Sequence, residues 1–381
     1  MKEHTRPTLR IGMLGMWGMN VPGRRFAGFE SAFSEIAPRL VESGHEVVIY
    51  CRRGEYAPER RIPMHQGVRL VYLPSPGGKN LSAVVNTLFA VLHAVLVERF
   101  DLLFFVNVGM GHHCALARLL GQRVVLNVDG LDWTRDKWGR IAKAYFYSAA
   151  KMAVRVCTRL VTDAEAMRRF YLEHFGRDST MIAYGTYVTD STRPERVQEL
   201  GLAPREYWLI VSRMIPENSL DTMLEAYVQS GSLRPLVVVG GATYDSPFHR
   251  RLREIAARAD GRIRFLGHVH DEELLRELWC NCFGYLHGHS VGGTNPALLN
   301  AMGYGSCILA LDTVFNREVL GGTGLLFPAD PTALAAMLQS LEQDPARAAA
   351  MREPPRARVR AEYSWEKITR QYEELFLEVA E

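Results

Sequence analysis

The stretch His287-Gly288-His289-Ser290-Val291-Gly292-Gly293-Thr294-Asn295-Pro296-Ala297-Leu298-Leu299-Asn300-Ala301-Met302-Gly303 decides how this chain is read. The apolar run Phe283 to His287 ends at the histidines, as a buried strand does. Two glycines then permit close backbone approach, Thr294 or Asn295 is suited to cap a helix, and Pro296 suits that helix's first turn. Leu298, Leu299 and Met302 recur at helical spacing and give the helix a face to lay on a sheet. A strand, a glycine turn and a helix N-terminus together bind phosphate, because orphan amides and the positive end of the helix dipole meet the anion. The same order also serves as plain packing with no ligand.

Outward from this stretch the strand-helix alternation continues. Tyr207–Ser212, Leu236–Val239, Ile263–Leu266, Cys307–Leu311 and Leu325–Phe327 read as further strands. Glu217–Gln229, Pro247–Ala259, Asp271–Trp279, Asn295–Tyr304 and Pro331–Glu342 read as helices. The first half repeats the pattern, with strands at Leu9–Leu14, His45–Cys51, Arg69–Leu73, Asp101–Asn107, Arg123–Val128, Arg159–Thr162 and Thr180–Ala183. Its helices are Glu30–Ser43, Ser82–Arg99, Gly139–Cys157 and Ala164–Phe175. Continuous apolar strands separated by helices predict an α/β fold of two doubly wound, Rossmann-like domains, each a parallel sheet covered on both faces. The polar, proline-containing segment Thr189–Arg205 is the expected linker, and Pro354–Arg360 a basic connection to a last helix, Trp365–Val379. Domain spans of 1–190 and 205–362 follow, with 363–381 a helix returning toward the first domain. Doubly wound sheets bind ligands beyond the carboxyl ends of their strands, so a cleft between the domains is the expected site. Periodicity alone leaves open a nucleotide-sugar transferase, a dehydrogenase, a sugar epimerase and a two-domain binding protein.

At 381 residues, 48% hydrophobic and 23% charged, the chain exceeds one small domain and has ample material for packed cores. Net charge is +3, but residues 1–195 hold 26 Lys and Arg against 18 Asp and Glu, so the first half carries +8 and the second −5. An anionic membrane surface or a phosphorylated ligand fits that asymmetry, as does an ordinary solvated surface, and nucleic acid is not an expected partner. The six cysteines are scattered in neither disulfide nor zinc spacing, which fits a reduced, cytoplasmic chain. Leu81–Val97, interrupted by Asn86, Thr87 and His93, falls short of a membrane span of roughly 20 residues, so any membrane contact is expected to be peripheral.

The opening loop Gly12-Met13-Leu14-Gly15-Met16-Trp17-Gly18 lacks the G-x-G-x-x-G spacing of dinucleotide binders, which weakens the dehydrogenase reading. No D-x-D occurs, so the common means of holding a divalent metal on a sugar diphosphate is missing, and no metal or other cofactor is expected. His268 with His270, and His287 with His289, read as packed or capping imidazoles, since no carboxylate or cysteine completes a ligand set.

These motifs together resemble the retaining glycosyltransferases of GT-B architecture in the fourth sequence family, and more narrowly their bacterial rhamnosyltransferase-like branch. The resembling segments are Gly28-Phe29-Glu30; Asn127 to Trp133 with Lys137-Trp138; Val211-Ser212-Arg213 with Pro216-Glu217-Asn218; Gly292 to Asn295; and Phe315 to Leu320. They span nearly the whole chain in the family's order. The resemblance implies that the second domain binds a nucleoside-diphosphate sugar donor and the first a glycan or lipid-linked acceptor. Transfer is then of a hexose or deoxyhexose to an acceptor hydroxyl, with retention, front-face attack and no covalent nucleophile.

Residue by residue, Arg213 matches the arginine that meets the donor diphosphate, and the usual lysine five residues later is Asn218 here. Arg213 would act with amides near Gly292, Gly293, Thr294 and Asn295, with Gly28 offering a further helix start and Glu318 lying in the last matching segment. The family's two glutamates separated by seven residues fall on Gly292 and Asn300, so the ribose-binding carboxylate is an amide. Asp129 takes the place of a histidine near the transferred sugar and is the expected catalytic residue, or else a cap on the turn into Gly130. Trp133, Trp138 and Tyr145 offer flat faces to a sugar, or packing. The competing readings are a nucleotide-sugar epimerase of the same fold and a degenerate, non-catalytic sugar-nucleotide-binding subunit.

Overall fold

A computed structural model describes residues 7–381 except 25, 27, 77, 79, 80, 136, 137 and 242–245. Lys137, one of the residues carrying the family resemblance, thus lies outside the described residues. The chain divides into two compact units, Met1–Tyr184 with Trp365–Glu381, and Gly185–Ser364.

The first unit runs β1 (Arg10–Leu14), α1 (Phe29–Glu42), β2 (Glu46–Arg52), β3 (Met64–His65), β4 (Val68–Leu73), α2 (Ser82–Leu96), β5 (Leu102–Val106), α3 (Gly111–Leu119), β6 (Val124–Asn127), α4 (Arg140–Val156), β7 (Arg159–Thr162), α5 (Glu165–Phe175) and β8 (Thr180–Met181). Its eight strands lie in the order β3-β4-β2-β1-β5-β6-β7-β8, all parallel but for the two-residue β3, which pairs antiparallel with β4. The central strand β5, Leu-Leu-Phe-Phe-Val, is buried along its whole length, as a strand covered on both faces must be. Right-handed crossovers place α2, α3 and α4 on one face and α1 on the other. The other face is completed from the chain's end. Trp365–Ala380 lies on α1 and β5, with Tyr372 against Phe33 (5.4 Å between ring centres) and Phe104 (5.6 Å).

The second unit runs α6 (Glu195–Gln198), β9 (Trp208–Val211), α7 (Leu220–Ser230), β10 (Leu236–Val239), α8 (Pro247–Ala257), β11 (Ile263–Gly267), α9 (Glu272–Asn281), β12 (Gly284–His287), α10 (Pro296–Gly303), β13 (Ile308–Leu311), α11 (Val314–Leu320), β14 (Leu325–Phe327), α12 (Pro331–Gln343), α13 (Pro345–Ala350) and α14 (Glu353–Glu362); the first unit's Trp365–Ala380 is α15. Its six strands are all parallel, in the order β11-β10-β9-β12-β13-β14. Trp208, Ile210, Leu224, Val238, Leu309 and Phe327 are among its core residues. Helix starts follow side-chain caps: Asp271 accepts from the Leu274 amide at 3.0 Å, and Asp330 from the Thr332 amide at 3.0 Å.

Two segments differ from the sequence reading. The expected linker is folded onto the second unit, because the fully buried Glu277 carboxylate accepts from the amides of Thr192 (2.9 Å) and Arg193 (3.0 Å) and from Ser191 Oγ. The boundary consequently falls at Tyr184/Gly185. The expected basic connection at 354–360 is the body of α14, since both prolines fall in its first turn, where a missing N–H has no intrahelical partner to lose.

Candidate functional site

The carboxyl edge of the second sheet is built around Arg213, two residues past the end of β9. Its carbonyl accepts three hydrogen bonds, from the Ile215 amide (2.9 Å), Asn218 Nδ2 (2.9 Å) and Ser212 Oγ (3.0 Å). The loop is thereby fixed while the guanidinium stays exposed, with no ion pair to a described residue. Asn218, expected among the donor-site residues, faces inward and is 3% exposed; it supports Arg213 from behind.

The loop after β12 is tied to the Arg213 loop. Ser290 donates to the Glu217 carbonyl through its amide (3.0 Å) and its hydroxyl (2.7 Å). At Gly288 a Cβ would stand 2.4 Å from the Asn218 carbonyl oxygen, so only glycine permits this approach. The third loop joins through Asn316, whose Nδ2 donates to the carbonyls of His289 (3.1 Å) and Leu311 (2.8 Å). Gly292 has φ 114° and open space around it, Gly293 is half-buried and Thr294 buried. Asn295 caps α10 by accepting from the Ala297 amide at 2.9 Å. Asn300 lies one turn further along, and its Oδ1 accepts from Thr186 Oγ1 at 2.7 Å. Glu318 is half-buried on α11, with its carbonyl held by Arg358 Nη2 at 2.9 Å.

Behind this edge His287 and His289 stack with ring centres 4.4 Å apart. Burial, then the neighbouring His289, lowers the His287 imidazole; burial, then the charge of Arg213, pushes His289 down to about 4. Both rings are therefore neutral near pH 7. Nδ1 of His287 lies 3.2 Å from the Tyr285 hydroxyl, while Nε2 has no hydrogen-bond partner among the described residues. Among the described residues no three or more His, Cys, Asp and Glu side chains gather as a metal site.

The first unit's carboxyl edge is charged. Asp129 follows β6 at φ 58°, and Asn107 follows β5 at φ 73°, both in the left-handed region that costs a side-chain-bearing residue energy. Asn127 Oδ1 accepts from the Asp129 amide at 3.1 Å, while Asn127 Nδ2 donates to the Tyr372 hydroxyl at 3.0 Å. Asn107 Nδ2 donates to the buried Asp132 at 2.9 Å, and Arg135 pairs with the same carboxylate at 3.2 Å. Gly28, at φ 73°, precedes α1, whose first turn carries Glu30. Glu30 accepts from the Trp17 amide at 2.8 Å. Burial raises the Glu30 carboxyl, backbone amides and the Arg52 charge oppose the rise, and Asp129 adds to it. Arg52 is buried and lies 5.3 Å over the Trp17 ring; burial lowers its pKa against the pull of Glu30 and Glu55.

Glu30 and Arg52 were not among the expected site residues. A carboxylate two residues past a glycine break was the available signal for Glu30, and none marked Arg52. The three aromatics are engaged in packing: Trp133 with Tyr147, Phe170 and Phe175, Trp138 with Phe146, and Tyr145 donating to the Gly109 carbonyl at 2.8 Å.

Comparison with known proteins gives two matches along the chain. Residues 27–185 match the glycosyl transferase 4-like domain, and residues 205–344 match the glycosyl transferases group 1 domain. The chain belongs to the group 1 glycosyltransferases of the fourth sequence family. Their GT-B architecture, two parallel Rossmann-like sheets, is the fold seen here. Sucrose-phosphate synthase from Thermosynechococcus elongatus superposes with a TM-score of 0.80 at 18% identity, over 97% of this chain and 99% of that one. HepE from Anabaena, solved in complex with UDP, gives 0.76 at 16% identity, over 97% and 99%. A Corynebacterium glutamicum protein described as a GDP-mannose-dependent monoacylated α-(1-6)-phosphatidylinositol monomannoside mannosyltransferase is 30% identical over 166 residues. That match covers 41% of this chain and 42% of the relative, well under two thirds of its length.

Proposed function

We propose that this group 1 glycosyltransferase moves a hexose or deoxyhexose, rhamnose among the candidates, from a nucleoside-diphosphate sugar to a hydroxyl of a bacterial surface glycan or lipid-linked acceptor, with retention and without a divalent metal. The observation that carries the donor half is Arg213: a cation without an ion-pair partner among the described residues, on a loop held by three donors to one carbonyl, in the unit whose α10 N-terminus offers further amides. A diphosphate leaving group needs such fixed positive groups where charge develops. In the first unit Asp129, in its left-handed turn, orients a hydroxyl of the transferred sugar or of the acceptor, and Glu30 shares its electrostatic environment. A hexose donor and a lipid acceptor are in keeping with the description of the Corynebacterium relative. We place the protein in the cytoplasm, at the membrane's inner face.

A second reading, a sugar-nucleotide-binding subunit without turnover, is favoured by Asn300: its oxygen is already taken by Thr186, leaving an NH₂ donor where the family pattern has a carboxylate acceptor. Incubation with UDP-, GDP- and dTDP-sugars, with and without a strong chelator, tests both. Transfer or donor hydrolysis that survives chelation supports the enzyme; binding without turnover supports the subunit. Activity lost to the chelator and restored by magnesium would remove metal independence.

A further inference from the structure

The two helical layers of the first sheet have opposite characters. Helices α1 and α15 carry seven acidic residues, Glu30, Glu35, Glu42, Glu366, Glu373, Glu374 and Glu378, against Arg39, Lys367 and Arg370. On the other face α2 packs on α3 and α3 on α4, and these three helices hold no acidic residue at all, with Arg118, Arg140, Lys143, Lys151 and Arg155 as their cations. Near them in sequence stand Glu98, just past α2 and paired with Arg10 and Arg69, and Asp132, buried before α4.

The same acid-free layer exposes an apolar stripe. Leu88, Leu92 and Leu96 fall at four-residue spacing along α2, and Leu81, Phe89 and Val97 widen the strip; Leu96 is 74% and Val97 68% exposed. Helix α2 contains no Asp, Glu, Lys or Arg, yet its Asn86 and Thr87 are turned inward and its leucines outward, the reverse of a water-facing helix. The end of α3 continues the surface with Leu119 (84% exposed) and the start of α4 with Ile141 (89% exposed). Arg118, Arg140, Lys151 and Arg155 are also exposed. Exposed large apolar side chains thus recur on all three helices of this layer, and exposed apolar surface of that kind marks an interaction site.

We propose that the α2–α3–α4 face docks on a bilayer containing anionic lipid, with the α2 leucines entering the interfacial region and the flanking Arg and Lys side chains meeting phosphate headgroups. Charge decides the occupant. A second copy of the chain laid face to face would oppose one cationic, acid-free layer with another, whereas an anionic headgroup plane complements it. Interfacial binding of this kind combines buried apolar area with attraction to anionic lipid, so both halves of the patch contribute. The proposal gives the lipid-linked acceptor reading its surface, but stands on residues separate from Arg213 and Asp129.

Sedimentation of the full chain with vesicles of phosphatidylcholine alone, and of phosphatidylcholine mixed with phosphatidylglycerol, tests it. The protein is expected to bind the mixed vesicles at low salt and to lose about tenfold in partitioning at high salt. Leu92→Glu/Leu96→Glu and Arg118→Glu/Lys151→Glu/Arg155→Glu should each lower partitioning by about tenfold or more, the second flattening the salt dependence further than the first. Both sets are exposed, so nucleoside-diphosphate binding by calorimetry should be unchanged. That measurement separates failure of this proposal from failure of the donor reading. Equal binding to neutral and anionic vesicles, or none to either, overturns the proposal. So does a concentration-dependent dimer in sedimentation velocity that Leu92→Glu/Leu96→Glu abolishes.

Discussion

The two sheets present their carboxyl edges in different chemistry. The first unit's edge holds buried and strained charge: Glu30 beside Arg52, Asp132 with Arg135, Asp129 at a positive φ. The second unit's edge braces its loops with neutral hydrogen bonds, from Asn218, Ser290 and Asn316 to loop carbonyls, beside the exposed guanidinium of Arg213. Neutral bracing fixes position without spending charge, so Arg213, with no ion pair among the described residues, stays available for an anion. Buried carboxylates are instead costly when ionised, and such placement is characteristic of groups that orient or exchange protons.

The two units are predicted to respond unequally to pH: both stacked imidazoles of the second unit are lowered, whereas in the first unit the raised Glu30 opposes the lowered His113. His289 has a folded-state pKa depressed to about 4, against about 6.5 unfolded, and that of His287 is also lowered. A depressed pKa contributes stability that is present above 6.5 and lost as pH falls toward the folded value. At about 1.4 kcal/mol per pKa unit, His289 alone is worth up to roughly 3 kcal/mol of acid destabilisation in the second unit. Glu30, raised, acts in the other direction: its ionisation costs the first unit stability as pH rises above the ordinary carboxylate range. Hydrogen exchange resolved by peptide, compared at pH 7 and 5, should therefore show the second unit losing protection first. Parallel loss in both units would break the contrast.

Next in size is Arg213→Ala. A charge-assisted contact to phosphate is worth about 1.5 to 3 kcal/mol, so nucleoside-diphosphate affinity should fall about ten- to a hundredfold while folding is unaffected, the side chain being exposed. Calorimetry with UDP and GDP reads this directly. An unchanged affinity would remove Arg213 from the donor site.

In the first unit the analogous change acts on strain. Asp129→Gly should raise stability by about 0.5 to 1 kcal/mol, because glycine adopts φ 58° freely and the carboxylate beside Glu30 is gone. Sugar transfer should fall at the same time. Chemical denaturation paired with an activity assay checks both, and a variant that is less stable and fully active would make Asp129 a structural turn cap.

How much of this was legible in the sequence differs between the two edges for a physical reason. The stretch from His287 to Gly303 displays its strand, glycine turn, Asn cap and N1 proline locally, and each lies where it was read. Short continuous apolar runs likewise located every strand of both sheets except β3. Helices α3, α6, α11 and α13 were not read from the sequence. Contacts distant in sequence were invisible: Glu277 gathering 191–193, and Arg52 brought near Glu30. Asn218 read as a substitute for a lysine, yet it is a buried brace for the neighbouring carbonyl, and only the fold distinguishes those roles.

The last contrast separates the enzyme from the subunit at Asn300. Its Oδ1 accepts from Thr186 Oγ1, so Asn300→Ala strands that hydroxyl and should cost about 0.5 to 1.5 kcal/mol of stability whether or not the site binds a donor. Stability alone is thus uninformative, and Asn300→Glu becomes the decisive variant. A carboxylate has two acceptor oxygens: one can keep the Thr186 bond and the other can accept from a ribose hydroxyl with charge assistance. If a nucleotide sugar binds along α10, Asn300→Glu should keep the thermal midpoint near that of the parent and tighten donor binding several-fold, with Asn300→Ala weakening it. If the helix carries no ribose, the half-buried carboxylate gains no partner, and Asn300→Glu should be less stable than Asn300→Ala with no gain in affinity. Donor titrations and thermal midpoints on the same two proteins give the order; tighter binding by Ala than by Glu would move the second unit's neutral edge from donor recognition to scaffolding.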